Sequence, residues 1–296
     1  MVNRTGGLLP ALAGLIALAL PAAIPAQTEA GALRWVGTSI PRDAYAADLA
    51  KAFHASARIR VLIDDGAETD SIGEVAALTA DLAGSFGTSL EVDGRAAGLT
   101  VKPVAWDALV VVAHPNNPVD NITLEQLQAV YRGKIDNWRA LGGPNQRLAL
   151  YARLGQPSGV GQSIRKLLLG GSNRTFKASK YFKTSAALQQ AIETDPWSLT
   201  VTGMASARRH DVKILKLDGT LPNYDTIRSG GYPLYRPVYL ITNPKNTRHD
   251  LVERFVQFAY SSEGMAVLRR NSVVPYNDAL HLVMREIQQS QRFGLE

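Results

Sequence analysis

Three short loops rich in glycine and hydroxyl side chains are the parts of this chain best suited to chemistry. Residues 37–39 read GTS, residues 81–88 read DLAGSFGT and residues 153–160 read RLGQPSGV. Free backbone N–H groups at the start of a helix, assisted by hydroxyl groups, bind anions without a metal ion. The loops therefore predict an anion-binding site.

Residue types alone leave the role of each loop open. Thr38 and Ser39 precede a predicted helix, and an ordinary helix cap is their better interpretation without further context. The guanidinium of Arg153 has the fork geometry that pairs with two oxygens of an oxyanion, but a surface ion pair explains it equally well. Asp70 and Ser71 are better explained as a helix cap.

The segments between these loops alternate between predicted strands and predicted helices. This alternation predicts an α/β fold with mostly parallel sheets and flanking helices. Strands are expected over residues 33–36, 59–63, 82–89, 148–152, 214–217 and 237–242, and helices over residues 43–56, 71–78, 161–169, 176–192, 250–260 and 265–270.

The most informative single stretch is residues 105–143, which read AWDALVVVAHPNNPVDNITLEQLQAVYRGKIDNWRALGG. Its apolar run at residues 108–113 is too short for a helix and predicts a strand buried on both faces. A Pro- and Asn-rich turn ends that strand. Thr123 and Gln126 then have the spacing of a capping box, and Gly133 marks the end of the helix that they begin.

Residues 105–143 resemble, almost position by position, a sequence block of the substrate-binding proteins of phosphate ABC transporters, which are periplasmic binding proteins of type II. Residues 230–240, GGYPLYRPVYL, resemble the returning segment of that family, and residues 151–162 are similar to its anion loop. The resemblance covers most of the chain after residue 30.

The resemblance implies a two-lobed fold with two hinge crossovers. Lobe 1 is expected to be discontinuous and to comprise residues 31–113 plus 236–296, and lobe 2 is expected to comprise residues 114–235. The hinge segments are expected near residues 106–113 and 236–242, and bending there would close the lobes on a ligand. Tyr232 and Arg236, beside the second hinge, are expected to serve structure.

The resemblance also implies which residues bind the ligand. Two positions depart from the family pattern: Phe86 stands where Asp or Arg is usual, and Val160 replaces a Thr. A carboxylate at position 86 would accept the proton of hydrogen phosphate and repel sulfate, so its loss weakens any prediction of selectivity for phosphate over sulfate. The expected ligand-binding residues are Thr38, Ser39, Ser85, Arg153, Ser158, Gly159 and Val160.

The function implied is that of a periplasmic solute-binding protein, a monomer without cofactor, which captures inorganic phosphate or a similar oxyanion and presents it to an ABC transporter permease. The alternative is a phosphate-binder-like scaffold with a changed or lost ligand that acts as a sensor or as a partner-binding module. Phe86 and Val160 motivate this alternative because both are apolar. A hydrolase on the same fold is a weaker third possibility.

The N-terminus has the pattern of a cleavable secretory signal over residues 1–26. Arg4 supplies a positive charge, residues 8–24 are apolar, and Ala26 is a plausible cleavage point. A membrane anchor is the alternative, although Gly14 interrupts the apolar stretch. Since the chain contains no Cys, disulfides and a lipid anchor on an N-terminal Cys are excluded.

Composition and motifs narrow the function further. The 32 Lys and Arg residues exceed the 26 Asp and Glu residues, which gives a net charge of +6. No basic run is longer than two residues, which disfavours nucleic acid, whereas a spread positive field helps to attract a small anion. The sequence contains no HExxH, GxSxG or Walker A motif, and its five His residues lack the spacing of metal ligands. No enzymatic activity and no metal site are predicted.

Overall fold

The first half of the chain alternates strands and helices as the sequence predicts. The computed structural model describes residues 31–64, 71–86, 97–153, 159–171 and 174–292. The elements, in order, are β1 Leu33–Val36, α1 Ser39–Pro41, a π-helical turn Arg42–Ala46, α2 Ala47–Ala57, β2 Val61–Asp64, α3 Ser71–Ala76, β3 Leu82–Phe86, β4 Thr100–Ala113, β5 Asn121–Ile122, α4 Leu124–Tyr131 and a 3-10 turn Trp138–Leu141.

The second half adds further strands and seven more helices within the described residues, several of them only one turn long. These elements are β6 Ala149–Arg153, α5 Gly159–Leu169, β7 Lys180–Phe182, α6 Ser185–Thr194, β8 Ser198–Gly203, α7 Met204–Ala207, β9 Lys213–Ile214, β10 Lys216–Leu217, α8 Tyr224–Arg228, β11 Tyr235–Thr242, α9 His249–Tyr260, α10 Ser262–Arg270, β12 Val274–Pro275, a 3-10 turn Tyr276–Ala279 and α11 His281–Arg292.

The long strand β4 joins the two sections of the main sheet. Its first part, Thr100 to Ala108, pairs with β11, and its last part, Leu109 to Ala113, pairs with β8. The run from Val104 to Ala113 is fully buried, which confirms the predicted buried strand and extends it towards the N-terminus. The path through the sheet is β2-β1-β3-β11-β4-β8-β6-β7, with β9 and β12 also paired to β4.

The outer strands of this sheet are parallel, as the alternation of strands and helices predicts: β1 pairs in parallel with β2 and β3, and β6 with β7 and β8. The crossover strands β4 and β11 are antiparallel to each other and to their outer neighbours β8 and β3. The fold is therefore a mixed α/β fold, in which antiparallel pairs are concentrated where the chain crosses between the two sections.

Local cap signals are confirmed where the sequence carries them. The Thr123 hydroxyl accepts a hydrogen bond from the Gln126 N–H at 3.0 Å, and the Gln126 side chain accepts one from the Thr123 N–H at 2.9 Å. Gly133 follows α4 with a φ of 69°, which suits a residue without Cβ. These contacts define both ends of α4.

The expected helix over residues 176–192 is wrong in its first half. Strand β7 occupies part of that range and pairs with Tyr151, Ala152 and Arg153 of β6. The helix α6 begins only at Ser185, after Thr184 accepts a hydrogen bond from the Ala187 N–H. The backbone groups of β7 are satisfied by pairing with a strand that is distant in sequence. The spacing of apolar residues within the segment itself does not indicate such a pairing.

Trp35 holds two of the candidate loops together. A Cβ built on Gly37 would lie 2.5 Å from the indole ring, and one built on Gly84 would lie 2.4 Å from it. Both glycines therefore pack their backbones directly against the buried ring of Trp35. Since Gly37 precedes Thr38 and Gly84 precedes Ser85, this packing sets the position of residues 37–39 and of the part of β3 that carries Ser85.

None of the helices described combines the length and the apolar character that a membrane crossing requires. The expected signal at residues 1–26 lies outside the described residues.

We expect Gly84→Ala to destabilise the protein by about 1–3 kcal/mol or more, because the new methyl group would also lie 2.7 Å from the Tyr45 hydroxyl and 2.9 Å from the Pro41 Cβ. The measurement is the free energy of unfolding in urea. Gly231→Ala is the matched control, since its nearest atoms beyond its chain neighbours lie 3.4 and 3.6 Å away. Equal stability of the two variants would contradict this packing.

Candidate functional site

A buried ion pair between the two crossover strands lies at the centre of the candidate site. Arg236 of β11 and Asp107 of β4 are directly paired in the strand register. Their side chains are 3% and 0% exposed, and Arg236 Nη2 lies 3.4 Å from Asp107 Oδ2. Burial raises the pKa of Asp107 to about 6, although Arg236 opposes that shift, and burial lowers the pKa of Arg236 to about 10. Arg236 is charged at neutral pH.

The Arg236 guanidinium also contacts the first turn of helix α5. Arg236 Nη1 donates hydrogen bonds to the Gly159 carbonyl and to Ser163 Oγ, both at 3.0 Å. Ser163 Oγ in turn donates to the same Gly159 carbonyl at 2.8 Å. The start of α5 is thus attached to strand β11 through one side chain.

Phe86, at the end of β3, covers the same guanidinium. The Arg236 Cζ lies 3.7 Å from the centroid of the Phe86 ring, a cation–π contact. A Cβ built on Gly159 would lie 3.6 Å from Phe86 Cδ2, so the ring also faces the beginning of α5. Although Phe86 departs from the family pattern as an apolar residue, it covers a charged group here. We refer to Phe86, Asp107, Gly159, Ser163 and Arg236 as the Arg236 cluster.

The start of α1 approaches this cluster from a further side. A Cβ built on Gly203 would lie 2.8 Å from Ile40 Cγ2 and 2.9 Å from Asp107 Oδ2. Thr38 precedes Ile40 by two residues in extended conformation, with φ −80° and ψ 169°. Its side chain is exposed and makes no capping hydrogen bond, so the simple helix-cap interpretation is wrong for Thr38.

The expected ligand-binding residues fall into three groups. Gly159 belongs to the Arg236 cluster, and Ser85 directly precedes Phe86 in β3. Thr38 and Ser39 directly precede Ile40, which packs against Gly203 as Asp107 does. Arg153 and Val160 line a cavity of about 210 Å³ beside the first turn of α5. Ser158 lies outside the described residues.

The sequence patterns do not predict that Arg236 and Asp107 belong to the candidate site. For Arg236 they predict a structural role, and for Asp107 they predict none. A signal for both was present: each is the only charged residue in an otherwise uncharged buried stretch, ALVVVA after Asp107 and PVYLIT after Arg236. Charged side chains in buried strands are rarely left without a partner.

Metal binding finds no support in the described part of the chain, which contains no group of three His, Cys, Asp or Glu side chains arranged to hold an ion. What the site can do chemically follows from its donors. The backbone N–H groups at the start of α5 and the exposed hydroxyl of Thr38 are donors suited to an anion.

A sequence model of a PBP superfamily domain matches residues 23–263. The chain belongs to the PBP superfamily. Among curated proteins, the chain is 29% identical over 173 residues to the phosphate-binding protein PstS of Borreliella burgdorferi, and the alignment covers 55% of this chain and 61% of that protein. The chain is 23% identical over 188 residues to PstS of Bacillus subtilis, and this alignment covers 63% of the chain and 60% of the relative. The alignments thus span about six tenths of these relatives.

Solved structures give the same fold. A putative phosphate ABC transporter substrate-binding protein from Clostridium perfringens, with bound phosphate, superposes with a TM-score of 0.75 at 20% identity, covering 82% of this chain and 99% of that one. An ABC-type phosphate transport receptor from Vibrio cholerae gives a TM-score of 0.61 at 21% identity, with the same coverage. The type II periplasmic-binding-protein fold expected from the sequence is confirmed.

The buried carboxyl of Asp107 predicts a specific pH dependence of stability. Its pKa is higher in the folded protein than the ordinary value of 3.8, so the folded state binds this proton more tightly than the unfolded state. Stability should therefore fall as pH rises through the interval between the two values, by at most about 3 kcal/mol. The measurement is the free energy of unfolding of the wild type and of Asp107→Asn from pH about 4 to about 7. The variant cannot titrate at position 107 and should not show this fall in stability.

Asp250→Asn is the control variant, because Asp250 is exposed. Identical pH profiles for the wild type and Asp107→Asn would contradict a raised pKa of Asp107.

Proposed function

We propose that this protein is a solute-binding protein that captures inorganic phosphate, or a similar tetrahedral oxyanion, and presents it to the permease of an ABC transporter. Membership of the PBP superfamily and the names of the relatives support this proposal. The observation that carries it is the meeting of the end of β3 and the first turn of α5 around the Arg236 guanidinium. It brings the end of the strand that carries Ser85 next to the start of a helix.

Recognition rests on neutral donors and on helix starts. The N–H groups of Gly159 and Val160 belong to the first turn of α5, where no intrahelical acceptor is available to them. The hydroxyls of Thr38, Ser39 and Ser85 add donors from the other side. Each hydrogen bond to a charged oxygen contributes about 1.5–3 kcal/mol net, so a few of them suffice for micromolar capture.

Closure is part of the proposal. Lobe 1 is residues 31–113 plus 236–296 and lobe 2 is residues 114–235, joined by the crossovers in β4 and β11. The division is supported by the pairing of β4, which changes partner from β11 to β8 between Ala108 and Leu109. Bending at these strands opens and closes the space between the hydroxyl loops and α5.

The setting is extracytoplasmic. Residues 1–26 act as a cleavable export signal, and the mature protein works in the periplasm as a monomer that binds no nucleic acid. It is a binder and not an enzyme, and no turnover of an aryl phosphate is expected. The spread positive charge of the chain increases the rate at which an anion is captured.

Titration calorimetry of the purified protein with phosphate, sulfate and molybdate tests the function. Heat and an increase in the melting temperature are expected with phosphate, at a dissociation constant in the micromolar range or lower. The absence of both responses with all three anions would reject the transport function and favour a scaffold with a changed ligand.

Thr38→Val tests the binding surface itself. The variant keeps the shape of the side chain but removes an exposed hydroxyl without a capping role, so its folding should be unaffected. We expect roughly tenfold or greater loss of phosphate affinity with an unchanged melting temperature of the ligand-free protein. The matched control is Thr247→Val, because Thr247 is also exposed and lies in the loop before α9. Unchanged affinity in Thr38→Val would remove Thr38 from the site.

A further inference from the structure

We propose that the cavity beside α5 is a second ligand site, which binds a small organic anion with a flat apolar body and one carboxylate. The cavity has a volume of about 210 Å³ and is lined by residues of β6, β8, α4, α5, α6 and the segment around β7. The site goes beyond the capture of phosphate, because Arg165 and the aromatic wall of the cavity belong neither to the Arg236 cluster nor to the expected phosphate-binding residues, although Arg153 and Val160 also line it.

The walls of the cavity are mostly aromatic and aliphatic. Tyr131 and Phe176 meet edge to face, with ring centroids 5.0 Å apart, while Ile164 of α5 and Leu188 of α6 add aliphatic surface. Flat apolar groups pack favourably among such rings. The walls therefore fit a ring or a short branched chain better than a hydrated inorganic ion.

Three of the hydroxyl groups on the lining residues already have protein partners. Tyr151 donates to Asp195, Thr200 donates to the Tyr151 carbonyl, and Tyr181 donates to the Phe176 carbonyl. Burial and the Asp195 carboxylate raise the pKa of Tyr151 to about 12, so its phenol remains neutral. A ligand cannot rely on these groups for recognition of its polar end.

Among the described residues that line the cavity, the charged ones are Arg153 at the end of β6 and Arg165 in α5, and none is Asp or Glu. The Arg165 guanidinium lies over the Phe176 ring, 5.2 Å from its centroid. The planar fork of a guanidinium can pair with a carboxylate through two parallel hydrogen bonds. The positive charge of Arg165 therefore favours an anionic ligand over a neutral one.

Size limits the ligand further. The volume exceeds that of a single water, about 30 Å³, several times, and is below the roughly 300–1,000 Å³ of sites for drug-sized molecules. A ligand of on the order of seven to ten non-hydrogen atoms fits these limits. Benzoate has this size, a flat ring and one carboxylate, and it is the probe that we select.

Calorimetry of the full chain with benzoate tests the proposal, with benzyl alcohol as the neutral probe of similar shape. We expect benzoate to bind, benzyl alcohol to bind at least tenfold more weakly, and Arg165→Gln to weaken benzoate at least tenfold. Arg147→Gln is the matched control, because it removes the same charge from an exposed position. Ile164→Phe, which fills the cavity, should also abolish benzoate binding.

Phosphate titrated into the same variants separates this site from the proposed function. Arg165→Gln should retain the phosphate affinity of the wild type, since Arg165 is not in the Arg236 cluster. Absence of benzoate binding to wild type, equal binding of benzyl alcohol, or full benzoate affinity in both Arg165→Gln and Ile164→Phe would each overturn the second site. None of these results depends on whether phosphate binds.

Discussion

One buried guanidinium constrains the arrangement of this protein. Arg236 is 3% exposed, and an unpaired charge at that depth would cost several kcal/mol. Its partners come from three other elements: Asp107 from β4, the Gly159 carbonyl and Ser163 from α5, and the Phe86 ring from β3. A shift of any of these elements would remove one of these partners. The register of β4 against β11 is fixed for the same reason, because a slip by one residue would turn Arg236 and Asp107 to opposite faces of the sheet.

Local signals predicted the elements well, and long-range pairing explains the errors. The capping box at Thr123, the apolar run of β4 and the helical pattern of α9 depend on residues close in sequence, and all three are found. The segment before α6 was assigned to a helix because nothing within it shows that β7 pairs with β6, almost thirty residues earlier. The antiparallel crossover strands were likewise not predictable from the alternation of strands and helices.

The candidate site divides in the same way. Hydroxyl and glycine loops before helices are local patterns, so Thr38, Ser39 and Gly159 could be selected from the sequence. Arg236 could not be given its role, because that role exists only when β11 pairs with β4 and α5 packs against both. Phe86 was interpreted as the loss of a charged side chain, whereas its ring covers the charge of Arg236. The residue type at position 86 does not indicate which side chain the ring contacts in the folded protein.

The ion pair also determines what kind of attraction an anion meets. Asp107 balances the charge of Arg236 at neutral pH, so the pair produces only a weak field at a distance. In the proposed site, the attraction for an anion would then come mainly from the N–H groups at the start of α5 and from hydroxyls. Arg236 contributes indirectly, because its hydrogen bonds to the Gly159 carbonyl and to Ser163 fix that turn. In the proposed site, Arg236 is therefore a positioning residue for neutral donors, because the buried ion pair holds the first turn of α5 in place.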